Sequence, residues 1–194
     1  MTGFNASAFR SKLKDGGARA NLFEVTMTFP GEAGGASEMF TFMCRSASLP
    51  GMTVGQIAVP YFGRTIKLAG DRTFEDWNVR VFNDEDFLVR NAFEAWQNRF
   101  AMLDNTTSAI ENATSVGGQD RLYVDITVNQ LSRKGDGRPG GPILKSYTLK
   151  NAHPTNLGSI ELAWDSNDAI EEFDVVIAYD YFVTNKIEGM KVQV

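Results

Sequence analysis

The sequence predicts a mainly β protein: an antiparallel β-sandwich or rolled barrel of about seven to eight strands, with one inserted α-helix and a short N-terminal helix. Three observations carry this reading. Apolar and polar residues alternate with a period of two along several runs, as half-buried strands require. Glycine is abundant, 18 of 194 residues, and many of these glycines fall between the runs, where turns use them. One long stretch after Asn83 changes to the 3.6-residue period of a helix.

From the N-terminus, Phe4, Ala8, Phe9 and Leu13 place a short amphipathic helix over Phe4–Lys14, which Asp15-Gly16-Gly17 stops. Phe23, Val25, Met27 and Phe29 alternate with Glu24, Thr26 and Thr28. A turn follows from Pro30-Gly31 to Gly34-Gly35, after which Phe40, Phe42 and Cys44 alternate again, so the two runs are expected to form a hairpin. Leu49-Pro50-Gly51 breaks the pattern. Between Met52 and Ala69 alternation is weak and Pro60 and Gly63 intervene, which fits an edge hairpin or an arm off the body better than a central strand.

Gly70-Asp71 reads as a turn into the strand of Trp77, Val79 and Val81. Asn83-Asp84-Glu85-Asp86 then opens a helix over Glu85–Leu103, because Asn and Asp cap free N–H groups and acidic side chains complement the dipole. Leu88, Ala92 and Trp96 with Val89, Phe93 and Phe100 form its apolar stripe, and Asp104–Gln119 reads as a loop. Leu122, Val124, Ile126 and Val128 start a second strand group. A glycine-rich tip over Arg133–Pro142 leads back through Ile143, Lys145, Tyr147 and Leu149. Pro154–Asp168 reads as a turn feeding the last strand pair, in which Ile160, Leu162 and Trp164 form one strand and Phe173, Val175, Ile177, Tyr179 and Tyr181 the other. No linker or repeat of solenoid period divides residues 1–194, so one domain is expected: residues 15–83 a first strand group, 84–103 the helix, 121–182 a second strand group and 183–194 a C-terminal tail.

Composition narrows the function classes. Hydrophobic residues make up 43% and charged residues 22%, ordinary values for a folded domain. No apolar run is long enough for a transmembrane helix, and the first ten residues lack the pattern of a signal peptide, so no membrane insertion is expected. The net charge of −5 argues against avid DNA binding, which draws on Lys and Arg displacing counterions. Cys44 is the only cysteine, which rules out an intramolecular disulfide and a thiolate cluster.

The motifs read as structure. Gly135-Asp-Gly-Arg-Pro-Gly140 has GxGxxG spacing but lacks the strand before it and the helix after it, so it reads as a hairpin tip. Asp165–Asp168 begins like a calcium loop, yet Ile170 and Val176 stand where glycine and glutamate are needed. His153, the only histidine, shows no orienting partner or nucleophile and reads as a turn residue. Cys44 reads as a core thiol sharing a strand face with Phe40 and Phe42, and Trp77, Trp96 and Trp164 read as core residues rather than a stacking platform. With no nucleophile–base set or metal cluster, neither an enzyme nor a cofactor is expected. On the polar strand phase lie Asp76, Asp125, Glu161, Asp165, Glu172, Asp174 and Asp180, with Arg80 the basic exception. That face is either solvated or built to repel polyanions.

Ordered anchors across most of the chain resemble the tail tube protein family of T-even-like, contractile-tailed bacteriophages. They are Asn21–Val25, Phe40–Cys44, Ser48-Leu49-Pro50, Ala69–Trp77, Asn83-Asp84-Glu85, Phe93–Trp96 and Pro154–Val175. Leu103–Leu149 aligns least, and the tail after Phe182 runs past the family's usual end. The resemblance implies a subunit of hexameric rings that stack into the inner tube of a contractile tail, similar in fold to the type VI secretion tube protein. It implies sheath, baseplate and tail terminator proteins as partners, DNA passing through the bore without specific binding, and a place in the virion after synthesis in the host cytoplasm. Alternatives are a baseplate-proximal or injection-particle tube protein of the same fold, or a β-barrel ligand-binding module. On the family reading, Leu49, Pro50, Gly51, Pro60, Tyr61 and Phe62 belong to an inter-subunit arm whose return Gly70, Asp71 and Arg72 anchor. Asp76, Asp125, Glu172 and Asp174 are the candidate lumen charges, since an acidic wall repels phosphates.

Overall fold

A computed structural model describes residues 5–13, 17–31, 35–100, 122–135, 142–165, 167 and 169–185. Among these, nine strands and three helices follow the order α1 (Ala6–Lys12), β1 (Phe23–Thr26), α2 (Ala36–Met43), β2 (Cys44–Ala47), β3 (Met52–Tyr61), β4 (Arg64–Phe74), β5 (Trp77–Phe82), α3 (Leu88–Phe100), β6 (Val124–Leu131), β7 (Ile143–Leu157), β8 (Glu172–Ala178) and β9 (Tyr181–Asn185). All strand pairs are antiparallel. The mainly β expectation holds as a sandwich-like body, not as a closed barrel.

One strand serves two sheets. The first part of β7 lies between β6 and β9, with β1 beyond β6. Its last residues, His153–Leu157, pair instead with β8, which continues to β5 and β2. Asn151 marks the change with φ 55°, a left-handed conformation that asparagine tolerates better than most residues. Its Nδ2 donates to Asp180 Oδ2 at 2.7 Å, while Asp180 N donates to Lys150 O at 3.1 Å. Strands that change sheet through such bends make the corners of sandwiches.

The space between the sheets holds the core. Val25, Ile126, Val128 and Leu149 come from one side; Trp77, Val79, Val81, Phe173, Val175 and Ile177 come from the other. Helix α3 contributes Val89, Ala92, Phe93 and Trp96, the stripe expected from its period. Asp84 Oδ1 accepts from Leu88 N at 3.2 Å, so the expected acidic capping is present although the helix starts at Leu88 rather than Glu85. Phe93 is the centre of the aromatic packing, with Phe29, Phe40 and Phe173 rings 4.9, 5.8 and 6.4 Å away, all near edge-on. Such offset geometry suits the ring quadrupoles.

Five expectations need correction. Phe40 and Phe42 do not lie on a strand: Ala36–Met43 is α2, which buries Ala36 and Phe40, four residues apart, and leaves Phe42 exposed. The run beginning at Phe23 therefore pairs with β6, not with residues 40–44. Ile160, Leu162 and Trp164 form no strand, because β7 itself extends to Leu157 and already partners β8. Pro154 accordingly sits inside β7, on a stretch whose outer edge is unpaired among the described residues, where a missing N–H is tolerated. Gly70, Asp71 and Arg72 lie within β4, so the chain turns into β5 later, at Glu75-Asp76. The expected tail over 183–194 begins too early, since Val183–Asn185 belong to β9 and pair with β7; its residues 186–194, the proposed loop at 104–119 and most of the 133–142 tip fall outside the described residues.

Replacing Phe93 with Ala should cost about 3–5 kcal/mol, the usual loss for a buried aromatic. Phe62→Ala, at an exposed hairpin tip, should leave stability unchanged. Urea unfolding of the two variants checks both.

Candidate functional site

Strands β3 and β4 form a two-stranded sheet of their own, paired with no other strand among the described residues. Tyr61 pairs with Arg64 across a two-residue loop in which Phe62 and Gly63 have φ 43° and 74°. Positive φ at both central positions defines the type I′ turn that matches the twist of a hairpin. Cross-strand pairing sets Val59 against Ile66 and Ile57 against Leu68. With Tyr61 and Arg64 these make one apolar face, while Gln56, Ala58, Thr65 and Lys67 occupy the other. Phe62 at the tip is 89% exposed, and Ile57, Ile66 and Leu68 are each about half exposed. A face this apolar is normally covered.

A bulge interrupts the hairpin between Val54 and Gln56. There a Cβ on Gly70 would stand only 3.2 Å from the Gly55 backbone, so the two strands approach as closely as glycine allows. Attachment to the body is confined to the base. Trp77 Nε1 donates to Ser48 O at 2.6 Å. Phe74 lies 5.4 Å from the Phe182 ring and 6.0 Å from that of Tyr179, and Tyr147 packs on Phe182 at 5.7 Å. Burial raises the pKa of Tyr179, and the carboxylates of Asp76 and Glu75 add to the effect.

The structure therefore unites Pro60, Tyr61, Phe62, Gly70, Asp71 and Arg72 in one hairpin, with Leu49-Pro50-Gly51 as its lead-in. The strands run from Met52 to Phe74, farther than the arm ending at Ala69 that alternation indicated.

The four candidate lumen carboxylates are not brought together. Asp125 lies on β6 and binds Lys150 of β7. Glu172 and Asp174 lie on β8 in the other sheet; Arg45 bridges to Glu172, and Arg80 grips Asp174 through two bonds of 2.6 and 2.8 Å. That last hydrogen bond, with the Coulomb attraction of Arg80, holds the Asp174 carboxyl below its ordinary range. Its contribution to stability is present above the unfolded pKa and is lost as pH falls through the folded value. Solvent exposure keeps it small. Asp76 stands apart, on the turn between β4 and β5. Arg45 and Lys150 were missed as partners because only strand register reveals which charges sit opposite one another.

The remaining motif residues have structural settings. His153 lies in β7 with the Phe100 and Tyr123 rings at 5.6 and 5.3 Å. Trp96 Nε1 donates to Leu122 O at 2.7 Å inside the core. Trp164, by contrast, is fully exposed. Gly135 ends a short 3₁₀ turn, and the rest of the GxGxxG spacing lies outside the described residues.

Residues 18–185 match the family described as phage tail tube protein. The chain belongs to the phage tail tube protein family. This tube protein is 36% identical over 166 residues to tail tube protein gp19 of Enterobacteria phage T4, an alignment spanning 85% of this chain and 90% of gp19. It is 25% identical over 182 residues to the tail tube protein of Serratia phage KSP90, spanning 92% and 96% of the two chains. In fold it is similar to the tube-terminating cap of the anti-feeding prophage, with TM-score 0.59 at 19% identity over 88% of this chain and 91% of the cap. A chain of the sheath–tube complex of the PVC contractile injection system in its extended state gives TM-score 0.53 at 16% identity, over 95% of this chain and 100% of that one. The protein is thus a tail tube subunit, a structural component of the phage tail.

Cys44 begins β2, partly buried beside the core, and burial pushes its thiol up to about 12. Since the thiolate is the reactive form, the folded tube protein should resist alkylation at pH 8 and react promptly once unfolded in urea. Mass spectrometry of iodoacetamide-treated samples checks this.

Proposed function

We propose that six copies of this chain close into a ring and that rings stack as the hollow inner tube of a contractile tail, through which DNA passes at ejection. The observation that carries the reading is the β3–β4 hairpin, which holds an apolar face away from its own core. Exposed apolar area of this kind marks a binding surface. Leu49–Arg72, including Pro60, Tyr61 and Phe62, is the arm that reaches a neighbouring subunit or ring.

The sheets supply the other half of the argument. Strands β1 and β9 border one sheet and β2 borders the other, each with a partner on one side only among the described residues. Open edges invite pairing with another chain. Joined head to tail around a rotation axis, such edges close a ring; displaced along the axis, the same contacts continue as a filament. The related structures point the same way, since they are of a sheath–tube complex, a tube-terminating cap and a baseplate. Sheath, terminator and baseplate proteins are therefore the partners assigned to this chain, alongside itself.

The charges fit a conduit that does not retain its cargo. The net charge is −5, and Arg45, Arg80 and Lys150 of the larger sheets are engaged by carboxylates, which leaves those three cations less available for phosphate binding. The assigned role is structural rather than catalytic and draws on no cofactor. No described helix is long and apolar enough to cross a membrane.

Electron microscopy of the purified chain tests the proposal. The intact protein should give hollow rods with six-fold end views. Replacing Thr53–Thr73 with a short Gly-Ser linker should leave a folded monomer, with an unchanged urea midpoint, that forms none. Rods unaffected by that replacement would remove the arm from the assembly, and an intact chain that stays monomeric at high concentration would point to a baseplate-proximal role.

A further inference from the structure

A second exposed apolar element lies between β7 and β8. Leu162, Trp164 and Ile170 project from it at 79%, 105% and 68% exposure. Glu161 and Asp165 are exposed beside them, and no Lys or Arg occurs between Gly158 and Glu171. Its two roots are held firmly. Gly158 N donates to Asp174 O at 2.7 Å and Arg90 Nη1 donates to Gly158 O at 3.0 Å. At the other root Asn83 N donates to Glu171 O at 2.8 Å, and Asn83 Nδ2 donates to Glu171 Oε2 at 2.9 Å.

Register places this loop and the hairpin at opposite ends of one sheet. At one end Trp77 pairs with Ile177, and there the chain leaves β2 and enters β5 by way of the hairpin. At the other end Phe82 pairs with Glu172, where the loop enters β8. The hairpin carries the complementary chemistry. Its sequence from Met52 to Phe74 holds Arg64, Lys67 and Arg72 against the single acid Asp71, and Arg64 lies on the apolar face already described, at its tip end. A ten-residue strand such as β3 also reaches about 30 Å, against about 20 Å for the six residues of β5.

We infer that the hairpin of one copy seats on residues 159–165 of the β7–β8 loop of a second copy stacked against it, Arg64 meeting Glu161 and Asp165 while Trp164 packs on the apolar face. The inference rests on the tube reading above and names the acceptor for its arm. Donor and acceptor are different surfaces at opposite ends of the body, so the contact is heterologous and each subunit added presents a fresh acceptor. Opposite charge at the rim steers the approach and sets register, and the aromatic residues supply the buried area.

Charge reversal in the full-length chain tests this. Glu161→Lys with Asp165→Lys should raise the concentration needed for rods by about tenfold, the scale of losing one or two rim pairs. Arg64→Glu should do the same, and the three changes together should restore assembly to within about threefold of the unaltered protein, since opposite charges again face each other. Trp164→Ser, an exposed change that leaves folding intact, should weaken assembly and should not be rescued by the hairpin reversal. Loop variants that polymerise like the unaltered chain, or a combined variant no better than its parents, would overturn the acceptor assignment. Rods lost on hairpin replacement yet kept on loop reversal would leave the tube reading standing while removing this loop from it.

Discussion

The bend of β7 at Asn151 is the constraint on which the rest of the molecule depends. Residues up to Ala152 belong to the sheet of β1, β6 and β9; residues from His153 onward belong to that of β8, β5 and β2. Because a strand cannot slip in one sheet without slipping in the other, the two registers are locked together. The interior between them then has a fixed width, which Phe93, Trp77 and Phe173 fill. The ends of the second sheet are fixed by the same device, and with them the directions in which the hairpin and the β7–β8 loop project.

Much of this was legible in the sequence, for physical reasons that differ between elements. Val79 and Val81, or Val175 and Ile177, face a core on one side and solvent on the other, so period two shows through. The stripe of α3 is equally plain, since one helix face meets the sheets. Ala36–Met43 misled because an apolar residue at every second position also satisfies a short helix with one buried face, and local propensity does not decide between them. Ile160, Leu162 and Trp164 misled in the opposite sense: their alternation is real, but only Ile160 packs against the core while Leu162 and Trp164 stay exposed. The weak pattern and Pro60 mark the arm, but not its full extent, because Gly70 mimics a turn while serving as a close-contact position inside β4. The charge pairs of Arg45, Arg80 and Lys150 depend on strand register, which no local pattern contains.

The molecule therefore carries two kinds of apolar surface. One is folded inward and accounts for the stability of the body. The other is spread along a hairpin that gains only its cross-strand pairs, each worth about 0.2–1 kcal/mol, and that would be marginal as an isolated two-stranded unit. It persists because Phe74 and Trp77 fasten its base and a type I′ turn closes its tip. On the proposed function, the surface left uncovered in the subunit is the one that meets its neighbours in the tube.

Pro60 adds a constraint on how that surface can be used. Tyr61 and Arg64 close the two-residue loop as a hydrogen-bonded pair, so the next pair, Pro60 and Thr65, directs its backbone groups away from the partner strand. At that outward position proline presents no donor. A further strand laid along β3 would meet a gap in its ladder close to the tip, which disfavours fibril-like edge-to-edge growth by a hairpin otherwise rich in Val and Ile. The apolar face is left open while the adjoining edge is blunted, so the hairpin offers its side chains to a partner but not its backbone ladder.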